Sequence, residues 1–352
     1  MIILDTIIVG AGQAGICMGY WLSKTDQTFI IIDGGTRIGD TWRKRYNSLT
    51  LFTPRYLSSL PGLTLKGNQK GFPTKDEVAD YLEQYALTFD LPIQMETEVI
   101  VMEKQDDTFF LTTTKGTFQA RQVIIATGPF QTPFIPEIAR NLSPMVFQIH
   151  SSWYREPSQL KPGIAVVVGG GNSGAQIAVE LAATRQVYLS VGQKPRHLPL
   201  VILGKSTFWW FDRLGLLKAK KDSIIGQKLR NAGDPIFGND LKGLTRDGKI
   251  KFLPRAIKCE GHSMGFLGSE ELDVQNVIWA TGFKSSYSWI NIPFVCDESG
   301  NPIQQRCLSN VDGLYFLGRP WQHKRGSALL TGVGEDAEYL ARSLVTIKKI
   351  WA

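Results

Sequence analysis

Gly10, Gly12 and Gly15 stand in Gly10-Ala11-Gly12-Gln13-Ala14-Gly15, and Gly169, Gly171 and Gly174 in Gly169-Gly170-Gly171-Asn172-Ser173-Gly174. At that spacing one glycine makes a tight turn, the next lets backbone N–H groups approach a pyrophosphate, and the last lets a helix pack on a strand. The phosphate then meets a helix N-terminus, where unpaired amides and the helix dipole favour an anion. Such a glycine trio arises by accident in many chains, so the flanking residues decide. Thr6-Ile7-Ile8-Val9 precedes the first trio as an apolar strand, and Ala14, Cys17, Met18, Trp21 and Leu22 follow it at helical spacing. Ile164 to Val168 precedes the second, and Ala175, Ala178, Val179 and Ala182 follow on one helical face. A strand–turn–helix unit is therefore repeated, and the chemistry it predicts is the binding of two dinucleotides by one chain.

The copies differ where their partner strands end. Asp33 closes Phe29-Ile30-Ile31-Ile32, the place from which a carboxylate accepts hydrogen bonds from a ribose hydroxyl. The corresponding strand of the second copy, Gln186 to Ser190, ends without an acid; Ser190, Gln193, Lys194 and Arg196 stand there instead. A carboxylate would repel a 2′-phosphate that Lys or Arg would pair with, so the second copy is expected to take NADPH rather than NADH. Within the second fingerprint, Asn172 and Ser173 are the polar residues placed to meet that cofactor.

These units must be positioned by an α/β fold of two Rossmann-like domains, for which 352 residues with 43% hydrophobic content suffice. The net charge of +7 is scattered, with short clusters only at Arg43-Lys44-Arg45 and Lys218 to Lys221, and two anionic cofactors account for it without nucleic acid. Cys17, Cys259, Cys296 and Cys307 form no CxxC pair, which speaks against a disulfide framework or dithiol redox motif and for a reducing compartment. With neither a secretory leader pattern nor a long uncharged apolar run, a cytoplasmic protein with no transmembrane segment is expected.

Thr74-Lys75-Asp76-Glu77 predicts a capped helix with Val78, Leu82, Tyr85 and Phe89 on one stripe. Strands are predicted over Glu96 to Val101, Thr108 to Thr113 and Gln122 to Ala126, the last ending in Ala126-Thr127-Gly128. A matching strand, Val277-Ile278-Trp279, ends in Ala280-Thr281-Gly282. The paired endings suggest a discontinuous first domain, residues 1–149 and 283–352, with the second inserted at 150–282. A final helix is predicted from Asp336 to Ile350, and a loop shaped by Gly332 and Gly334 is one of two readings for what precedes it. Leu198 to Asp240 is unusually apolar at Leu200 to Leu203 and Phe208 to Phe211. Packing on the second domain is the leading expectation there; a substrate funnel, a membrane contact or a subunit contact stays open.

With both fingerprints, both Ala-Thr-Gly strand ends and the stretch Gly39-Asp40-Thr41-Trp42-Arg43-Lys44-Arg45-Tyr46-Asn47-Ser48-Leu49-Thr50-Leu51-Phe52-Thr53-Pro54, the chain resembles class B flavoprotein monooxygenases. More narrowly, it looks like the compact bacterial flavin-containing monooxygenases, which include cation-efflux-associated flavoproteins. The resemblance implies FAD on the first unit and NADPH on the second. In such enzymes NADPH reduces the flavin, dioxygen is captured as a C4a-hydroperoxide, and one oxygen passes to a soft sulfur or nitrogen. It also implies a flavin site built from Gly10, Gly12, Gln13, Gly15, Asp33, Trp42, Arg43 and Val99, with Thr127, Gly128, Thr281 and Gly282 at the strand ends. Asn47 and Phe52 are the candidates for the flavin face; Gly318 lies in Gly313 to Gln322, at the place where disulfide reductases of related fold carry Gly-Asp near the flavin, and Leu329 in Arg325 to Gly332, which is similar to the small bacterial monooxygenases and would set a helix N-terminus near the flavin pyrimidine edge.

The family identifier is half kept: His150 and Tyr154 fit, but Pro144 and Val146 stand where phenylalanine and glycine belong. His150 is assigned to the domain junction rather than to proton transfer, and Tyr154 fits the heteroatom-oxygenating branch. Arg319 replaces the acid that disulfide reductases of related fold carry near the flavin. A small-molecule substrate and a homodimer agree with the family. A reductase of the thioredoxin-reductase or ferredoxin-NADP-reductase type and a non-catalytic redox sensor are the competing readings.

Overall fold

In a computed structural model, residues 2–351 are described, with side chains through residue 344. Two separate sheets organise them. The larger, of nine strands, is centred on Ile3–Val9, which pairs in parallel with Phe29–Ile32 on one side and Gly116–Ile125 on the other. Ile93–Gln94 forms one edge; on the other side Leu314–Phe316 joins Gly116–Ile125 in parallel, and Leu308–Ser309 and Gln304–Gln305 follow antiparallel to the far edge. The hairpin Val99–Gln105 and Thr108–Thr113 pairs antiparallel onto Gly116–Ile125, as an excursion returning to the main sheet. The smaller sheet is wholly parallel, in the order Ile250–Leu253, Val187–Ser190, Ala165–Val168, Asn276–Trp279, Phe147–His150. Ala165 to Val168 and Asn276 to Trp279 are all buried, as the central strands of a sheet covered on both faces must be.

Each sheet carries a ten-residue helix directly after its central strand, Gln13–Leu22 in one and Asn172–Leu181 in the other. The first packs between its sheet and the helices Lys75–Thr88 and Leu330–Trp351. Thr74 caps the former as predicted. Its hydroxyl accepts from the Glu77 N–H at 3.3 Å, and Glu77 accepts from the Thr74 N–H at 2.8 Å, so two otherwise orphaned donors are satisfied reciprocally.

Three sequence expectations are corrected. The final helix begins at Leu330, not Asp336, and contains Gly332 and Gly334. A Cβ on Gly332 would stand 2.3 Å from the Gly326 carbonyl oxygen, and one on Gly334 2.7 Å from the Pro61 ring. Close packing, rather than loop geometry, is what these glycines serve, and it offsets their poor helix propensity. The strand predicted from Glu96 starts at Val99, because Glu96 has φ of 56°, a left-handed conformation no strand contains. The Leu198 to Asp240 region packs on the second domain only in part: Ile236 joins the smaller sheet's core, whereas Phe208, Leu217 and Phe237 cluster with Phe52, Leu57 and Leu329, residues outside that sheet.

No helix among the described residues is long and apolar enough to cross a membrane.

Candidate functional site: two glycine cradles and the junction between their sheets

The two fingerprints are built alike. Gly10 has φ of 111° and Gly169 of 127°, values that disfavour any side chain. A Cβ at Gly10 would lie 2.6 Å from the Ala126 carbonyl oxygen, and one at Gly169 would lie 2.2 Å from that of Ala280. The Ala-Thr-Gly strand ends therefore cover the first glycine of each unit. At the third glycine the approach is tighter: a Cβ would lie 1.7 Å from the Gly10 oxygen at Gly15, and 2.0 Å from the Gly169 oxygen at Gly174. Only the middle glycines, Gly12 and Gly171, face open space within 4 Å. Each is the N-cap of its helix, has no side chain to cap it, and is followed by a first turn free of acids. Open space beside bare helix N–H groups fits a pyrophosphate in both places.

Asp33 completes the first cradle. Its carboxylate accepts from the Ala11 N–H at 2.7 Å and the Gly35 N–H at 2.7 Å, so it holds the turn while presenting charge at the strand end. Gln13 donates from Nε2 to the Ala328 carbonyl at 2.7 Å, bringing Leu329 and the start of the last helix to this cradle. Gly318, with φ of 81°, lies so close to Ala14 that a Cβ would stand 2.6 Å from the Ala14 Cβ. Trp42 packs half-buried against the core around the first fingerprint helix, and Val99 pairs with Thr113 at the start of its strand. Phe52 and Leu329, far apart in sequence, share one apolar cluster, with Phe52 stacked 4.7 Å from Phe237 and 5.5 Å from Phe208.

Several polar candidates are committed elsewhere. Arg43 donates to the Ile38 carbonyl at 2.5 Å, to Asp80 at 2.8 Å and to Glu83 at 3.0 Å, so the helix Lys75–Thr88 takes up a guanidinium expected at the flavin site. Asn47 is exposed, and its side-chain amide donates to Glu156 at 3.1 Å. The Ser190 hydroxyl is buried, donating to the Pro254 carbonyl at 2.7 Å and accepting from the Ala256 N–H at 3.1 Å, which consumes it. Arg196 donates to the Gly233 carbonyl at 2.7 Å and to that of Ala232, closing the C-terminus of the helix Ile224–Ala232. Asn172 clamps the next segment, donating to the Pro235 carbonyl and accepting from the Phe237 N–H, each at 3.1 Å. Ser173 lies beside the Tyr46 hydroxyl.

Gln193 and Lys194 remain exposed at the end of Val187–Ser190. Beside them stands Arg255, which sequence reading missed: a Cβ on Gly192 would come within 3.2 Å of its guanidinium. The parallel pairing of Ser190 with Leu253 puts Arg255 there, and recognising Ile250–Leu253 as a strand was the signal needed.

The junction between the sheets is also polar and specific. Thr132–Pro133 and Phe283–Lys284, which follow the two Ala-Thr-Gly ends, pair antiparallel. Thr281 donates to the Phe134 carbonyl, Gln131 donates to the Thr127 hydroxyl and the Gly128 carbonyl at 3.0 Å each, and Gly128 and Gly282 adopt φ of 69° and 84°. Arg45, another residue missed, lies over Phe130 at 4.7 Å and Phe283 at 5.3 Å, gripping both connectors. His150 is buried. Its Nδ1 accepts from the Ser152 N–H at 3.1 Å, which leaves Nε2–H to donate to the Gly282 carbonyl at 3.0 Å. Burial pushes its pKa down, so the imidazole is neutral and satisfied. Below an unfolded-state value of about 6.5 the unfolded chain takes up a proton that folded His150 resists, so stability falls as pH drops through that window. His150→Gln is expected to flatten this part of a Tm-against-pH curve between pH 5 and 7; a curve as steep as wild type would reject it. Tyr154 is also buried, donating to Glu180 at 2.7 Å within the smaller sheet's core.

Two sheets with parallel centres, each carrying a glycine cradle at its central strand and joined at a shared junction, define a two-dinucleotide oxidoreductase. The chain belongs to the pyridine nucleotide-disulphide oxidoreductase family, which residues 7–197 match. It is 55% identical to a CzcO-like oxidoreductase of Geobacillus kaustophilus across 97% of this chain and 99% of that protein. Among solved structures it is similar to a flavin-containing monooxygenase from Stenotrophomonas maltophilia, with a TM-score of 0.84 at 24% identity and 99% of both chains covered. It is also similar to the bacillithiol disulfide reductase of Staphylococcus aureus, with a TM-score of 0.73 at 17% identity over 99% of this chain and 100% of that one. At such identities these structural likenesses speak to the fold.

Proposed function

We propose that the chain is an FAD-dependent monooxygenase that draws two electrons from NADPH and passes one oxygen atom of O2 to a sulfur or nitrogen of a small substrate, the other leaving as water. FAD occupies the Gly10–Gly15 cradle in a unit formed by residues 1–149 and 283–352, and NADPH the Gly169–Gly174 cradle in the unit 150–282. The bound flavin supplies the hydride acceptance and the activation of dioxygen. The chain's own residues align the two cofactors and keep water from the apolar wall of Phe52, Phe208, Phe237 and Leu329.

The observation that carries this reading against disulfide reduction is the state of the thiols. Cys17, Cys259 and Cys307 are buried and Cys296 half-buried, all free. Burial pushes every one of them up, Cys259 to about 11, and Cys307 is raised further by Asp336. A reductase of that kind needs a thiolate as nucleophile, and these four groups are held as thiols.

Mass spectrometry of products formed under 18O2 tests the reading. Incorporation of one labelled oxygen, undiminished in Cys296→Ser, is expected; NADPH oxidation with hydrogen peroxide as the sole oxygen product would reject it. Phe52→Val is expected to change substrate selectivity while flavin content stays at the wild-type level, and unchanged selectivity across a substrate panel would remove Phe52 from the pocket wall.

A further inference from the structure

An ion pair links the two segments that the fingerprints hold. Arg325 lies on the loop that Gln13 of the first fingerprint holds through Ala328, and Asp234 lies on the segment that Asn172 of the second fingerprint holds through Pro235 and Phe237. Their contact is one nitrogen to one oxygen at 3.3 Å. The partners are unequal: the Arg325 side chain is 9% exposed and that of Asp234 73%. The guanidinium also stacks 4.9 Å from the centre of the Phe211 ring, which packs with Phe208 and Phe237.

Burying a cation costs several kcal/mol unless strong partners surround it, and one long contact to a solvated carboxylate is a weak offset. A guanidinium presents five donors and pairs best with a carboxylate gripped by two of them. Asp234 takes one, while none of the remaining Arg325 nitrogens is both buried and unpaired, so they face accessible space. Burial pushes the Arg325 pKa down, and Arg196, whose Nη2 donates to the Ala232 and Gly233 carbonyls, lowers it further and adds positive potential.

We propose that Arg325 binds a carboxylate of the substrate in place of Asp234, while the half-buried rings of Phe52 and Phe211, backed by the buried Phe208 and Phe237, take its apolar body. The substrate is thereby a small apolar acid carrying the sulfur or nitrogen to be oxygenated. This rests on the oxygenation reading above. A 2′-phosphate is the competing anion, but the cations at Lys194 and Arg255 flank the end of Val187–Ser190, whereas Arg325 belongs to the aromatic cluster.

Calorimetric titration of the FAD-loaded protein with (phenylthio)acetate and with its methyl ester tests the assignment without turnover. The acid is expected to bind at least about tenfold tighter than the ester, the factor a charge-assisted contact gives. Arg325→Gln is expected to abolish that preference. Asp234→Asn, at an exposed position, is expected to tighten acid binding severalfold by removing the internal competitor. Equal binding of acid and ester by wild type, retention of the preference in Arg325→Gln, or unchanged acid affinity in Asp234→Asn would overturn the proposal. So would a loss of NADP+ affinity in Arg325→Gln with the acid preference intact. Acid binding through Arg325 without 18O incorporation would uphold this site and end the oxygenation reading.

Discussion

Gly15→Ala is expected to yield a destabilised protein that stays colourless after reconstitution with FAD, whereas Gly12→Ala folds normally and loses only flavin affinity. The difference lies in what an added methyl group meets. At Gly15 it would stand 1.7 Å from the Gly10 carbonyl oxygen, which is backbone and cannot rotate away. Helix and strand must separate, at a cost of about 3 kcal/mol or more, and the turn between them opens. At Gly12 the methyl group enters open space, the space through which a pyrophosphate approaches the helix amides. Losing a hydrogen bond to a charged group weakens FAD binding about ten- to a hundredfold. Visible absorbance after reconstitution and the Tm of the apoprotein check both. A yellow, stable Gly15→Ala protein would overturn the steric argument, and an apoprotein unfolded by Gly12→Ala would show that this position carries packing. Gly174 and Gly171 are expected to divide in the same manner for NADPH.

Replacing Lys194 and Arg255 together by alanine is expected to raise the KM for NADPH about a hundredfold or more and to leave that for NADH within about twofold. Each charge-assisted contact to a 2′-phosphate contributes roughly 1.5 to 3 kcal/mol, and NADH has no such group. Both residues are exposed, so truncation leaves no buried partner unpaired. Steady-state kinetics with the two coenzymes measure the ratio; parallel increases would mean that these cations bind something other than the 2′-phosphate.

The fingerprints were legible because their constraints are local. A glycine with nowhere to place a Cβ is tied to the strand and helix adjacent in sequence, and residues 6–22 and 164–182 contain all three parts. The charged candidates were less legible because a polar side chain is claimed by whatever the fold brings nearest. Nothing around Arg43 announces that a helix more than thirty residues later sets Asp80 and Glu83 against it. Ser190 is taken by the Pro254 carbonyl and the Ala256 N–H, and Arg196 by the end of a helix inside the stretch that pattern alone read least well. Arg255 and Arg325 escaped notice for the converse reason. Each became a candidate only through a neighbour distant in the chain, Gly192 for one and Asp234 for the other.

Tyr46 belongs to the N-terminal stretch of the chain, yet its ring is buried in the core of the smaller sheet and its hydroxyl donates to Gln176 at 2.5 Å. Burial pushes the phenol up to about 12, so it stays a donor throughout the working range. Such a plug bolts one half of the molecule to the other. Swinging the halves apart would draw an aromatic ring out into water, at about 2 kcal/mol for the ring alone. Movements that leave this ring seated are thereby favoured roughly thirtyfold over those that expose it, and Tyr46 sets which displacements of the two sheets are easy.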